Sequence, residues 1–235
     1  MERNNIQTEY DAHLNEATKR YDLKKRDKND FFGKSNGRVL MVDLQKCLAT
    51  PLLTNAQSFY SLKLWSFNYT IYDSTYKKAT CCMWDETIAG RGGPEMASCM
   101  IKYILSLNDD IENIIIWSDN CPPQNRNIQM IMCYFYLMSM KPAIKKIEHK
   151  YLLRGHTHME LDTMHSQIER ELKKTPACVI VTTWDRQQFA RLSSSRSHEF
   201  QIFGMETEDF KNINALFDEP TSPFCNTKNS KKNRR

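Results

Sequence analysis

The chain has 235 residues, enough for one medium domain with a substantial core or for one domain with extensions. Its 40% hydrophobic and 26% charged residues are ordinary for a globular protein, and a formal charge of +5 is too small an excess to mark a dedicated nucleic-acid-binding protein. No apolar run approaches the roughly 20 residues of a membrane helix, and the polar start MERNNIQTEY lacks the apolar stretch of a signal peptide.

The eight cysteines include no CxxC, so no zinc module is expected within the chain. Several sit in apolar runs, where a reduced thiol behaves as a small core residue, and a reducing intracellular compartment follows as the expectation. Basic residues crowd the start (Lys19, Arg20, Lys24, Lys25, Arg26, Lys28) and the end, KNSKKNRR. Such runs suit phosphate contact or nuclear import, and a nuclear location is the corresponding expectation.

In chain order, residues 8–29 read as one charged helix with a weak stripe of Tyr10, His13, Leu14, Ala17 and Tyr21. GKSNG at 33–37 is a break. Residues 38–45 (RVLMVDLQ) have the apolar run of a buried strand, with one acid, Asp43, near the end. A carboxylate there needs a partner or a metal, unless it already caps the following loop. After a loop at 46–57, the alternation of residues 64–71 and the stretch 76–86 indicate two further strands. GRGGPE at 90–95 leads into a helix with Pro94 in its first turn. Glu95 beside it can serve the helix dipole or a site.

NIIIW at 113–117 is the clearest buried strand, and Asp119 follows it directly, at the end where open α/β sheets place their sites. Residues 125–140 read as an apolar helix. The run Ile147, His149, Tyr151, Leu153 then ends at Gly155, with His156 and His158 after it. In the next helix Asp162, His165, Ser166 and Glu169 share one face, while Leu161, Met164, Ile168 and Leu172 form the apolar stripe. Beyond it, 177–183 looks like a strand, 184–191 a helix, 200–205 a last strand and 208–217 a small helix. The composition from 218 onward is that of a disordered tail. The domains expected are a helical extension at 1–34, a body at 35–217 with its core at 38–174, and a basic tail at 218–235.

Three antiparallel strands followed by alternating helices and strands predict an α/β fold with a mixed sheet flanked by helices. With that order the chain resembles the ribonuclease-H-like superfamily, which includes ribonucleases H, integrases and DDE transposases. The likeness rests on Asp43 on the first strand, Asp119 in IIIWSDN at the end of the fourth, and Asp162 on the helix after the fifth. Glu95 matches an added glutamate of ribonucleases H, and RGH at 154–156 resembles their Gly-His turn. DLQK, WDETIAGRG, WSDNCPPQN and GHTHMELDTMHSQIE are also similar to an uncharacterised, transposable-element-associated domain family of animals.

The resemblance implies a phosphodiester hydrolase or strand-transfer domain that uses Mg²⁺ or Mn²⁺ as its cofactor. Asp43, Asp119 and Asp162 would be the metal ligands, with Glu169 the alternative third acid. Glu95 and His156 would assist, and Arg91, Arg154 and Arg170 are candidate phosphate contacts. The partner would be nucleic acid, DNA ahead of RNA, with no membrane and with homodimerisation open. No zinc-binding or helix-turn-helix module accompanies the core. Two other readings stand beside this one: a catalytically inactive nucleic-acid- or protein-binding module on the same fold, and a zinc hydrolase using His156, His158, Asp162 and His165. Catalysis by Cys121 or Cys47 ranks below both, since neither has an evident base nearby.

Overall fold

Side-chain alternation along the strands decides which helices each face of the sheet receives. In the computed structural model, which describes residues 2–50, 63–174, 182–194, 199–213 and 215, the sheet is built from β1 (Gly37–Leu44), β2 (Leu48–Thr50), β3 (Leu64–Asp73), β4 (Lys78–Asp85), β5 (Asn113–Ser118), β6 (Lys146–Tyr151) and β7 (Glu199–Gly204). The order is β6-β5-β1-β3-β4-β7, with β2 paired to β3. Strands β1, β3 and β4 pair antiparallel, as does β2 with β3; β5 on β1, β6 on β5 and β7 on β4 are parallel. The sheet is therefore mixed, as expected.

Among the described residues five helices flank it: α1 (Glu2–Phe31), α2 (Gly93–Ser106), α3 (Ile128–Met140), α4 (Glu160–Lys174) and α5 (Thr183–Leu192). Leu40 and Val42 of β1 pack with Met96, Met100 and Ile104 of α2 and with Met130, Cys133 and Leu137 of α3. Val39 and Met41, one residue out of phase, pack with Met164 and Ile168 of α4, Ala190 of α5, and Tyr21 and Phe31 of α1. Both faces are thus buried, which is why β1 and β5 read as continuous apolar runs.

Each helix start has a local cause. The Glu95 carboxylate accepts the Gly92 amide at 2.7 Å ahead of α2, with Pro94 in the first turn. Asn127 caps α3 by accepting the Met130 amide. That cap moves the start of α3 from 125 to 128, while Cys121 to Arg126 form a turn around the Cys121 carbonyl. Thr182 and Asp185 form a reciprocal cap on α5.

Several expectations need correction. The loop at 46–57 contains β2; of the helix expected at 208–217 the described residues show a 3₁₀ turn at Thr207–Asp209, and 214, 216 and 217 lie outside them. The α1 stripe differs in part: Ala17 is buried as expected, but Tyr10 and Leu14 are exposed, whereas Lys24 and Asp27 are buried. The strand expected at 177–183 lies largely outside the described residues; Thr183 itself opens α5. The tail from 218 and the Leu172 side chain also lie outside them.

Helix α1 is tied to the body by ion pairs and hydrogen bonds. Arg20 donates to the Tyr151 carbonyl, Tyr21 to the His156 carbonyl, and Lys24 and Lys28 pair with Glu160. Asp27 accepts from Trp117 Nε1 at 2.9 Å and from Lys150 Nζ at 2.8 Å. The break after α1 is shaped by close approach: a Cβ on Gly37 would lie 2.1 Å from Phe31 Cδ1. Gly37→Ala should therefore push Phe31 out of its packing and cost about 2 kcal/mol, read as a lower midpoint in chemical denaturation.

Candidate functional site

Asp43 has the same phase on β1 as Val39 and Met41, so the pleat turns it toward α4. It pairs with Thr70 of β3 and lies one residue past Val42, which is in register with Ser118 of β5. Asp119 lies one residue past Ser118, so the two parallel strands deliver two carboxylates at adjacent ends. Asp162 comes from the first turn of α4.

These acids are close enough to act on one another. Burial, then the charges of Asp119 and Asp162, push the Asp43 carboxyl up to about 7, against a weaker opposing hydrogen bond from the Leu44 amide. Among the described residues no lysine or arginine pairs with any of the three; the basic neighbours are His165, with Nδ1 at 3.8 Å from Asp43, and His158, with Nδ1 at 3.0 Å from Asp162. Burial pushes His165 down to about 4, so it is neutral at pH 7 and supplies no countercharge to Asp43.

Each acid is also engaged locally. Asp119 Oδ1 accepts from Asn125 Nδ2 at 2.6 Å, and Asp162 Oδ2 accepts the Met159 amide at 2.7 Å. With those oxygens drawn aside, among the described residues no three His, Cys, Asp or Glu side chains come together closely enough to hold a metal ion. The donor set itself, three oxygen ligands without a basic countercharge, has the chemistry that suits a hard divalent cation.

A second layer holds these groups in place. His165 Nε2 lies 3.0 Å from Thr70 Oγ1, and Thr70 donates to Asn68 Oδ1. The other ring nitrogen, Nδ1, faces Asp43 at 3.8 Å, beyond hydrogen-bond distance. Asn68 donates to Gln45, and Gln45 donates to Glu169 at 3.3 Å. On the other side, His149 bonds Ser118 Oγ at 2.8 Å and Tyr134 at 2.7 Å, and Ser118 donates to the Asp119 carbonyl. Burial pushes His149 down to about 3. It is a neutral link that pins the strand end carrying Asp119.

The remaining expected residues divide. Arg154 lines a cavity of about 480 Å³ together with Asp119, Asn120, Cys121, Pro122, Arg126 and Thr157. Arg126, which the sequence reading missed, belongs with it; its one signal was a basic residue in the loop after the second aspartate. His156 lies next to this turn, but its ring packs against His13 of α1 at 5.2 Å. Glu95 is held at its own helix start, and Glu169 reaches the cluster only through Gln45. Arg91 donates to Cys47 and lines a separate cavity with Trp65, Phe67 and Glu86. Arg170 is exposed on α4.

The proposed zinc set is dispersed: His156 packs against α1, His158 pairs with Asp162, and His165 is buried against Thr70. Burial, then the charge of Asp119, raises the Cys121 thiol, which disfavours a nucleophilic thiolate. Gln45, Asn68 and His149 were not singled out in the sequence. Asn68 and Thr70 are the polar phase of β3, a line of small polar residues that turns toward α4.

No curated protein and no solved structure matches the chain. A family model described as a domain of unknown function, DUF7869, matches residues 94–213, from the start of α2 through the last described turn, and so takes in Asp119, Asp162 and Glu169 but not Asp43. That match spans just over half of the 235 residues, and the chain belongs to the DUF7869 family.

Proposed function

We propose that this protein is a transposon-derived, ribonuclease-H-like domain that hydrolyses or transfers phosphodiester bonds in nucleic acid with the help of Mg²⁺ or Mn²⁺. The observation that carries the reading is the approach of Asp119 and Asp162 to Asp43, whose carboxyl is pushed up to about 7 by burial first and by those two charges second. The order of elements supports it too: with the short β2 set aside, Asp43 lies on the first strand, Asp119 follows the fourth and Asp162 opens the helix after the fifth.

Asp43, Asp119 and Asp162 would hold the cations, which when bound supply Lewis acidity at the phosphodiester. The rest falls to the chain's own groups. Arg126 and Arg154 flank the cavity beside Asp119 and can pair with phosphate oxygens. Asn125 orients Asp119, and neutral His165 lies beside Asp43 without neutralising it.

The test is cleavage of labelled DNA and RNA–DNA hybrids with Mg²⁺ or Mn²⁺. Activity is expected, and Asp119→Asn should lower it by at least about 100-fold. The spacing of the three acids favours a second reading, a catalytically inactive nucleic-acid- or protein-binding module. Binding of the same substrates in EDTA, with no cleavage in either metal, would decide for it.

A further inference from the structure

Arg186 is a buried cation without a countercharge. It lies in the first turn of α5 with 3% of its surface exposed. Nε donates to Thr50 Oγ1 at 2.6 Å and Nη2 to the Ala49 carbonyl, both neutral acceptors. No carboxylate pairs with it and no acceptor takes Nη1 among the described residues. Burial pushes the guanidinium down to about 10, with no acid opposing the shift. Removing such a charge from water is costly unless an anion accompanies it. The acidic side chains outside those described are Glu2, Asp218 and Glu219; the stretches 51–62, 175–181 and 195–198 have none.

Arg186 opens onto a cavity of about 280 Å³ that Lys46, Lys173 and Glu169 also line. Lys46 and Lys173 are exposed, so they stand at the mouth while Arg186 lies beneath. Glu169 is the one acid among the described residues that line it. It accepts from Gln45, and no ion pair joins it to the three cations. Three basic groups therefore face one carboxylate. None of the three aspartates lines the cavity, and its Lys173 lies roughly 16 Å along α4 from Asp162.

We propose that this cavity is an anion site that takes a phosphate group, with the Arg186 guanidinium beneath it and Lys46 and Lys173 closing over it. The guanidinium fork matches a phosphate oxygen pair, and the two lysines add charge without demanding a fixed geometry. The site needs no divalent metal and stands whether or not the protein cleaves nucleic acid.

The test uses the full chain in EDTA, which removes metal-dependent binding at the aspartates. Thermal unfolding is compared in inorganic phosphate and in chloride of equal ionic strength. Phosphate at tenfold its dissociation constant should raise Tm by about 3 °C over chloride. Glu169→Gln should enlarge that shift, the Lys46→Gln/Lys173→Gln pair should shrink it, and Arg186→Met should abolish it. If Arg186→Met does not fold, the lysine pair and Glu169→Gln still decide.

A short single-stranded oligonucleotide without terminal phosphates separates the sources. A shift with it that the lysine pair removes assigns the phosphate to a polynucleotide backbone, whereas a shift with inorganic phosphate alone assigns it to free phosphate or a monoester; both uphold the site. A wild-type shift no larger in phosphate than in chloride overturns the proposal, as does one that the lysine pair leaves unchanged. A phosphate response that emerges only in Asp218→Asn/Glu219→Gln also overturns it, because the tail would then be the occupant.

Discussion

Replacing Asp43 with Asn should stabilise the metal-free protein at pH 8 and leave its stability near pH 4 almost unchanged. The folded Asp43 carboxyl titrates at about 7, against an ordinary value of 3.8. Between those values the folded protein keeps a proton that the unfolded chain has released. Stability is therefore full below about pH 4 and is lost as pH rises toward 7. The whole shift corresponds to at most about 4 kcal/mol, and partial solvent access lowers the realised figure. Asn is neutral at every pH, so urea denaturation in EDTA should show a gain of about 2 kcal/mol at pH 8. A wild-type-to-variant difference that stays flat between pH 4 and pH 8 would remove the electrostatic convergence on which the functional reading rests. Added Mg²⁺ at pH 8 should stabilise the wild type and not the variant, since cation binding replaces the missing countercharge.

Asp27→Ala should cost about 3 kcal/mol and loosen α1 from the body. Asp27 is buried, and its carboxylate meets both the Trp117 indole N–H and the Lys150 ammonium. Removing it strands the buried Trp117 donor and leaves Lys150 only its longer ion pair with Glu148 at 3.7 Å among the described residues. Asp27→Asn keeps an oxygen for Trp117 and forfeits the ion pair, so its cost should be nearer about 1 kcal/mol. Chemical denaturation reads the energies, and limited proteolysis reads whether residues 1–34 become cleavable. If the two variants behave alike and both lose less than about 0.5 kcal/mol, α1 is held by Ala17, Tyr21 and Phe31 instead.

These two sites also mark what could be seen in the chain and what could not. Runs such as RVLMV and NIIIW state their own burial, because a strand covered on both faces needs apolar residues at every position. Pro94 and Glu95 mark a helix start through chemistry confined to one turn. Asp43 and Asp119 stood out because a carboxylate at the end of such a run demands an explanation. The class of fold and the candidate acids were therefore legible from local pattern alone.

The buried face of α1 was not legible. Lys24 and Asp27 look like solvated helix charges, and only Glu160, Trp117 and Lys150, distant in the chain, make their burial affordable. Nor was the use of the helix polar face: His165 lies beneath Asp43, whereas Glu169 is tied to Gln45 and Ser166 faces solvent. Nothing in the sequence around Arg186 marks it as buried; its contacts with Ala49 and Thr50 of β2 are distant in the chain. Local spacing determines which residues share a face, because helix and strand periods are properties of the backbone. Whether a charge on that face meets water, a partner or nothing depends on which distant element packs there, and tertiary structure alone decides that.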